Sequence, residues 1–360
     1  MLKINKKPED LNELEKLLLE FPNKPWNWKE LSANPNIDIE IVKDNDSKPW
    51  DWLELSGNPN VTIDFIKECP NKPWDWWRLS SNPNITIDFI KANYDKSWSW
   101  YFLSQNPNIT LGFVEEFPDE SWVWYFLSQN PNITMEIVMN YPYKPWDWKG
   151  LSSNPNVTFE FVKANLDMRW DWYYLSGNSN VTMEIVKAND SMPWDWGGLS
   201  NNPNITIDFL KANRYRPWSW GGLSRNSNVT IDFVKDIPNR PWDWNDLSQN
   251  PNITVEIMKA NDSKPWDWEK LSSNPNITLE TVKANPDIPW DWYRLSGNEF
   301  GWINLKLKRE KAARLIQRNC LRWIFQPLTR DGKLGIQVRL GMKLFYDLDE
   351  APLFPSDTRY

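Results

Sequence analysis

Carboxylates recur at one position along this chain, at Asp64, Asp88, Glu136 and Glu160, and a lysine often follows three residues later, at Lys67, Lys91 and Lys163. Paired acids could do general acid–base chemistry. Groups that recur in every unit, however, leave no pocket distinct from the next, and acid–base pairs at this spacing are what a solvated helix face carries. The sequence contains no His, which removes imidazole as a base, as a nucleophile's partner and as a zinc ligand. Cys69 and Cys320 are the only cysteines, so neither a disulfide framework nor a Cys-rich metal site is available, and a reducing compartment is implied. With no Gly-rich phosphate loop either, the reading is a non-catalytic protein with no cofactor and no metal. Asn-x-Thr triplets at Asn60, Asn84 and Asn108 would be glycosylation acceptors in a secreted chain. The N-terminal Met-Leu-Lys-Ile-Asn-Lys-Lys has no apolar signal core, and no stretch reaches the ~18 apolar residues of a membrane span. The triplets are therefore read as structural and the protein as intracellular.

The remaining candidates are aromatic and basic. A pair of positions following each second tryptophan varies more than any other: Leu53-Glu54, Trp77-Arg78, Tyr101-Phe102, Tyr125-Phe126, Lys149-Gly150, Tyr173-Tyr174, Gly197-Gly198, Gly221-Gly222, Asn245-Asp246. Trp77, Tyr101, Phe102, Tyr125, Phe126, Tyr173 and Tyr174 form an aromatic stretch beside a bare one. With acids at Glu115-Glu116 and Asp119-Glu120 nearby, it reads as a protein-binding surface or as extra packing between neighbouring units. Near the C-terminus, Arg314, Arg318 and Arg322 lie four apart, on a different side of a helix from Leu315, Ile316, Trp323 and Ile324. Such a basic amphipathic helix fits docking on the last repeat, a calmodulin-like partner, a membrane surface or nucleic acid. From Trp302 onward there are twelve basic and six acidic residues, a net of +6; the whole chain is 41 − 48 = −7, leaving −13 for the rest. The array would repel phosphates, so an unidentified protein is its expected partner, and nucleic acid is expected only at the tail.

What positions these residues is a repeat. The first Trp of a Trp-x-Trp pair falls at 26, 50, 74, 98, 122, 146, 170, 194, 218, 242, 266 and 290, always 24 apart. The consensus is Lys-Pro-Trp-Asp-Trp-x-x-Leu-Ser-x-Asn-Pro-Asn-Ile-Thr-Ile-Asp-Phe-Ile-Lys-Ala-Asn. It reads as two short helices. One starts at Pro, with Asp51 in its first turn, and stops at Asn58-Pro59. The other is capped by Thr62 and stapled by Val61 and Ile66. Neither is long enough to stand alone, so stability must come from stacking, as in a solenoid. The Trp pairs are read as core and the recurrent Asn as a backbone-bonding ladder between units. The expectation is an all-α helical solenoid, or superhelix, of about twelve two-helix repeats. At ~8–10 Å per layer it would be a rod or superhelix of about 100 Å or more. Its parts are an N-terminal capping helix (1–21), the repeats (22–301), a basic amphipathic helix (302–326) and an extension (327–360) whose pattern fits strand and helix equally.

The Asn-Pro-x-Ile/Val-Thr turn with its 24-residue period resembles the leucine-rich repeat variant, which implies an α-helix alternating with a 3₁₀ helix, here the Trp-Asp-Trp one. The Trp pair departs from that family. The full Lys-Pro-Trp-Asp-Trp-x-x-Leu-Ser-x-Asn-Pro-Asn-Ile-Thr string, over residues 22–298, is similar to repeats in proteins of giant amoeba-infecting DNA viruses, and Ala312–Arg318 is similar to a basic Ile-Gln segment in such proteins. That resemblance implies a viral protein of the infected cytoplasm or the virion, and no reaction.

Overall fold

The computed structural model describes residues 2–300, and Met1–Gly301 forms one compact unit. The basic segment with Arg314, Arg318 and Arg322 and the extension 327–360 lie outside the described residues. Among the described residues the fold is all-helical: 24 α-helices and one 3₁₀ turn, Pro8–Asp10. The second unit shows the pattern, with a first helix Trp52–Gly57 and a second helix Ile63–Glu68.

Each helix is set by its cap. Asp51 does not sit in the first turn as expected. It is the N-cap itself and accepts from the Glu54 amide, so Pro49 and Trp50 precede the helix and shape its entry. Thr62 caps the second helix and accepts from the Phe65 amide. Both helices of the unit are α; tighter i→i−3 bonds appear at the end of the first helix and in the turn after it, from Asn58 N–H to the Leu55 carbonyl and from Val61 N–H to the Asn58 carbonyl. Asn58 then turns into extended backbone before Pro59.

The tryptophans divide the work. The first of each pair is buried in eight of the twelve units, as Trp50 and Trp146 are, and its indole N–H caps the preceding helix: Trp50 donates to the Asn45 carbonyl at 3.0 Å. The second is only half-buried and meets the next unit's first Trp edge-on, as in Trp28–Trp50 and Trp148–Trp170, at 5.1 and 5.2 Å. Its outer side is covered by the next unit's cation: Lys72 lies 4.9 Å from the Trp52 ring and Arg216 4.9 Å from Trp196. The lysine of Lys-Pro-Trp is thus a lid on the preceding unit, worth roughly 0.5–1 kcal/mol each.

Polar side chains stitch unit to unit. Asn58 Nδ2 donates to the Ser32 and Asn34 carbonyls at 2.9 and 3.0 Å, while its Oδ1 takes the Asn60 amide at 2.9 Å. Asn60 Nδ2 reaches back to the Pro35 and Ile37 carbonyls. Ser32 Oγ receives the Asp51 amide. These bonds satisfy helix-terminal carbonyls and amides that burial would otherwise strand.

The same bonds join the last unit to the first. Asn27 N–H donates to Ser296 Oγ at 2.9 Å, Asn34 Nδ2 to the Ser296 and Asn298 carbonyls at 2.7 and 3.0 Å, and Asn36 Nδ2 to the Glu299 carbonyl at 2.9 Å. Trp26 meets Trp292 edge-on at 5.1 Å. The solenoid therefore does not extend into the expected rod. It closes on itself in a single turn, about 30° per unit. The N-terminal helix Glu13–Glu20 is not an end cap but the missing second helix of the twelfth unit. Its Leu14 and Leu18 enter the core of the early units, and Leu17 enters that of the late ones.

Candidate partner-binding surface

First helices pack closely against first helices at nine of the twelve junctions, whereas successive second helices share few close backbone contacts. In a closed ring the more closely spaced layer is the inner one. The first helices therefore form the concave wall, and the variable pair after each second Trp sits on it. With helix axes ~8–10 Å apart, twelve of them leave a lumen roughly 20–25 Å wide before side chains are counted.

Glycine sets the local spacing on this wall. A Cβ on Gly150 would lie 2.4 Å from the Tyr125 carbonyl oxygen, and one on Gly198 2.2 Å from that of Tyr173. Only glycine permits those approaches, which bring Trp124–Gln129 against Trp148–Ser153 and Trp172–Gly177 against Trp196–Ser200.

The seven aromatic residues singled out from the sequence fall on this wall, five of them in a chain of ring contacts and the other two in a pair. Trp77 meets Phe102 edge-on at 4.4 Å, Phe102 meets Tyr101 at 5.2 Å, Tyr101 meets Phe126 at 5.0 Å and Phe126 meets Tyr125 at 5.2 Å. Across the gap left by Gly150, the Tyr125 hydroxyl hydrogen-bonds Tyr174 two units away, and Tyr174 packs on Tyr173 at 5.3 Å. A contact that skips a unit is what a concave wall allows. Burial pushes the Tyr125 phenol above its ordinary range, the Tyr174 bond adds to this, and a bond from Gln129 opposes it. Trp77, Tyr101 and Tyr173 are 48, 50 and 48% exposed, so half of each ring is open to the lumen, and the other four are partly buried supports. The packing between units expected of the variable positions is present in these ring contacts, and three of the seven residues remain exposed.

The acids at Glu115, Glu116 and Glu120 do not rim this arc. They lie on and after the second helix Leu111–Glu116 of the outer layer, held by Lys144 at 3.2 Å, Lys91 at 2.6 Å and the Tyr94 hydroxyl. The outer lysines also pair differently from the expected i,i+3 pattern. Lys43 contacts Glu40 within its helix, but Lys43–Glu68, Lys91–Glu116 and Lys211–Asp236 link neighbouring units at 2.6–2.8 Å. Among the described residues no cluster of His, Cys, Asp or Glu could hold a metal ion, and no helix is long and apolar enough to cross a membrane.

Sequence reasoning passed over Lys149, which stands on the wall between Tyr125 and Tyr173, and the amides of Gln129 and Asn201, which reach Tyr125 and Tyr173. Their signal was positional, because the residue after the helix Ser varies as freely as the aromatic pair. Comparison with family models, curated proteins and solved structures gives no match to this chain.

Proposed function

We propose that this chain is a non-catalytic protein–protein interaction scaffold whose docking surface is the aromatic arc of the concave wall. The observation that carries the reading is the run of contacts from Trp77 through Phe102, Tyr101, Phe126 and Tyr125 to Tyr174 and Tyr173. It gives a preorganised surface of rigid side chains with little entropy to lose on binding. The repeat's resemblance places the protein, in this reading, in a giant amoeba-infecting DNA virus and its infected host. A second reading, nucleic-acid association through Arg314, Arg318 and Arg322, rests on the +6 charge of residues 302–360.

The test is affinity purification of the full chain, of residues 1–301 and of a Tyr101→Ala/Tyr173→Ala double variant. A defined protein that co-purifies with the first two and is lost from the third, with helical circular dichroism unchanged, is the expected result. Recovery of nucleic acid alone, lost with residues 302–360 and with added salt, would replace the first reading by the second.

A further inference from the structure

Building on the docking role of the arc, we infer that its partner is an extended peptide carrying an acidic side chain, which Lys149 receives, between apolar or aromatic residues that lie on the flanking rings. One arc of the wall is free of unengaged acids. From the third to the ninth unit, the variable pair and the residue after the helix Ser supply three cations, Arg78, Lys149 and Arg225, and no carboxylate. The acids at the foot of these helices, Asp75, Asp147, Asp171 and Asp195, are engaged in capping backbone amides, and the other units of this arc have Ser99, Val123 and Ser219 there instead. The remaining units carry both signs at these positions, Glu30, Glu54, Asp246 and Glu269 with Lys29, Lys270 and Arg294.

The two arginines mark the ends of the arc, and each is paired with the first acid beyond it: Arg78 with Glu54 at 3.1 Å and Arg225 with Asp246 at 2.9 Å. Lys149 lies midway between them, in the sixth unit. It is exposed, and no acid among the described residues pairs with it. An unpaired ammonium with tyrosines in the neighbouring units on both sides is a charged contact awaiting its counterion, flanked by surface suited to apolar side chains.

The chemistry disfavours a single nucleic-acid strand. Such a strand needs a track of cations and parallel ring faces for successive bases, whereas the arc offers one free cation and rings that meet edge-on at 80–90° in Trp77–Phe102 and Tyr101–Phe126. The arc from the third to the seventh unit spans four spacings of ~8–10 Å, the reach of roughly ten extended residues.

Random linear peptides displayed on phage and selected on the full chain test this directly. The expected selection enriches Asp or Glu between apolar or aromatic residues. Selection on Lys149→Glu instead enriches Lys or Arg at that place. An acidic consensus peptide should bind Lys149→Glu about tenfold more weakly or worse, and the unaltered chain more weakly as salt rises. Lys149 is exposed, so its replacement leaves the core intact, as circular dichroism would verify. Peptides with no acidic preference whose binding is nonetheless lost in Tyr101→Ala/Tyr173→Ala would overturn the inference and leave the docking role standing. No peptide enrichment at all, with or without binding of a poly-dT oligonucleotide, would overturn both.

Discussion

Gly198 and Gly221 stand one unit apart on adjacent faces of the same helix type, yet their constraints are opposite. A methyl on Gly198 would press on the Tyr173 carbonyl at 2.2 Å and on the Ser176 side chain at 3.0 Å, while one on Gly221 meets nothing within 4 Å. Gly198→Ala is expected to destabilise the array by about 1–3 kcal/mol, because two backbones must separate. Gly221→Ala should be neutral or stabilising by up to ~1 kcal/mol, because alanine is the better helix former. Urea denaturation midpoints of the pair check this, and equal shifts would show that the close approach on the inner wall is not there. The recurrent Asn obeys similar logic. Asn154 is fully buried, donates to the Ser128, Asn130 and Ile133 carbonyls and accepts from Asn156 N–H, a set that no other side chain of its size supplies.

At the scale of elements, the clasp is the helix Glu13–Glu20. A capping box joins Asn12 and Glu15 at its start, Lys6 bridges Glu15 and Asp38 at 2.7 and 2.8 Å, and Lys283 holds Glu20 at 2.8 Å on the other side. Burial raises the Asp38 pKa, but the Lys6 bond and the Glu40 amide outweigh it, so the carboxyl sits below its ordinary 3.8. Burial likewise opposes the Lys6 charge, and its bonds to Asp38 and Glu15 prevail, so the ammonium sits above its ordinary 10.5. A lowered acid contributes stability above its unfolded pKa and loses it as pH falls through the folded one. A raised base contributes below its unfolded pKa and loses it as pH rises through the folded one. The clasp should thus hold from about pH 4 to about pH 10 and weaken on both sides. Thermal melts of the unaltered chain and of Asp38→Asn should differ most near neutrality and converge towards pH 3. A gap that stays constant with pH would dismiss the Lys6–Asp38 contribution.

For the whole array, closure changes what every end means. Residues 1–301 should scatter X-rays as a disc roughly 60–70 Å across, with helical circular dichroism retained. Deleting residues 1–21 removes the second helix of the twelfth unit and, with Phe21, part of the cover over Trp292, leaving Lys24 and Trp26 against it. That deletion is expected to open the turn, raise the radius of gyration and promote association through the two exposed faces. An unchanged scattering profile after the deletion would mean that the Asn34–Asn298 junction closes the ring unaided.

The repeat, its two helices, the Thr cap, the Asn ladder and the cluster of aromatic positions were legible in the sequence, because each depends on neighbours within one period or on the next copy of the same period. Asp51 was misplaced by a single position, since a cap and a first-turn acid look alike until the backbone dihedrals are known. Closure was not legible locally. It depends on a small rotation repeated at every junction, set by how near the first helices come at positions such as Gly150 and Gly198 relative to the outer helices. A slightly different rotation per unit leaves the same sequence as an open superhelix. The sequence did carry the clue at its two ends, a second helix without a first at Glu13–Glu20 and a first without a second at Trp292–Ser296. Only the tertiary structure joined them, and in doing so placed Trp77, Tyr101 and Tyr173 on an inner wall with Lys149 between them. Which side of a repeat faces inward is decided by curvature, and curvature belongs to the stack of units rather than to any one of them.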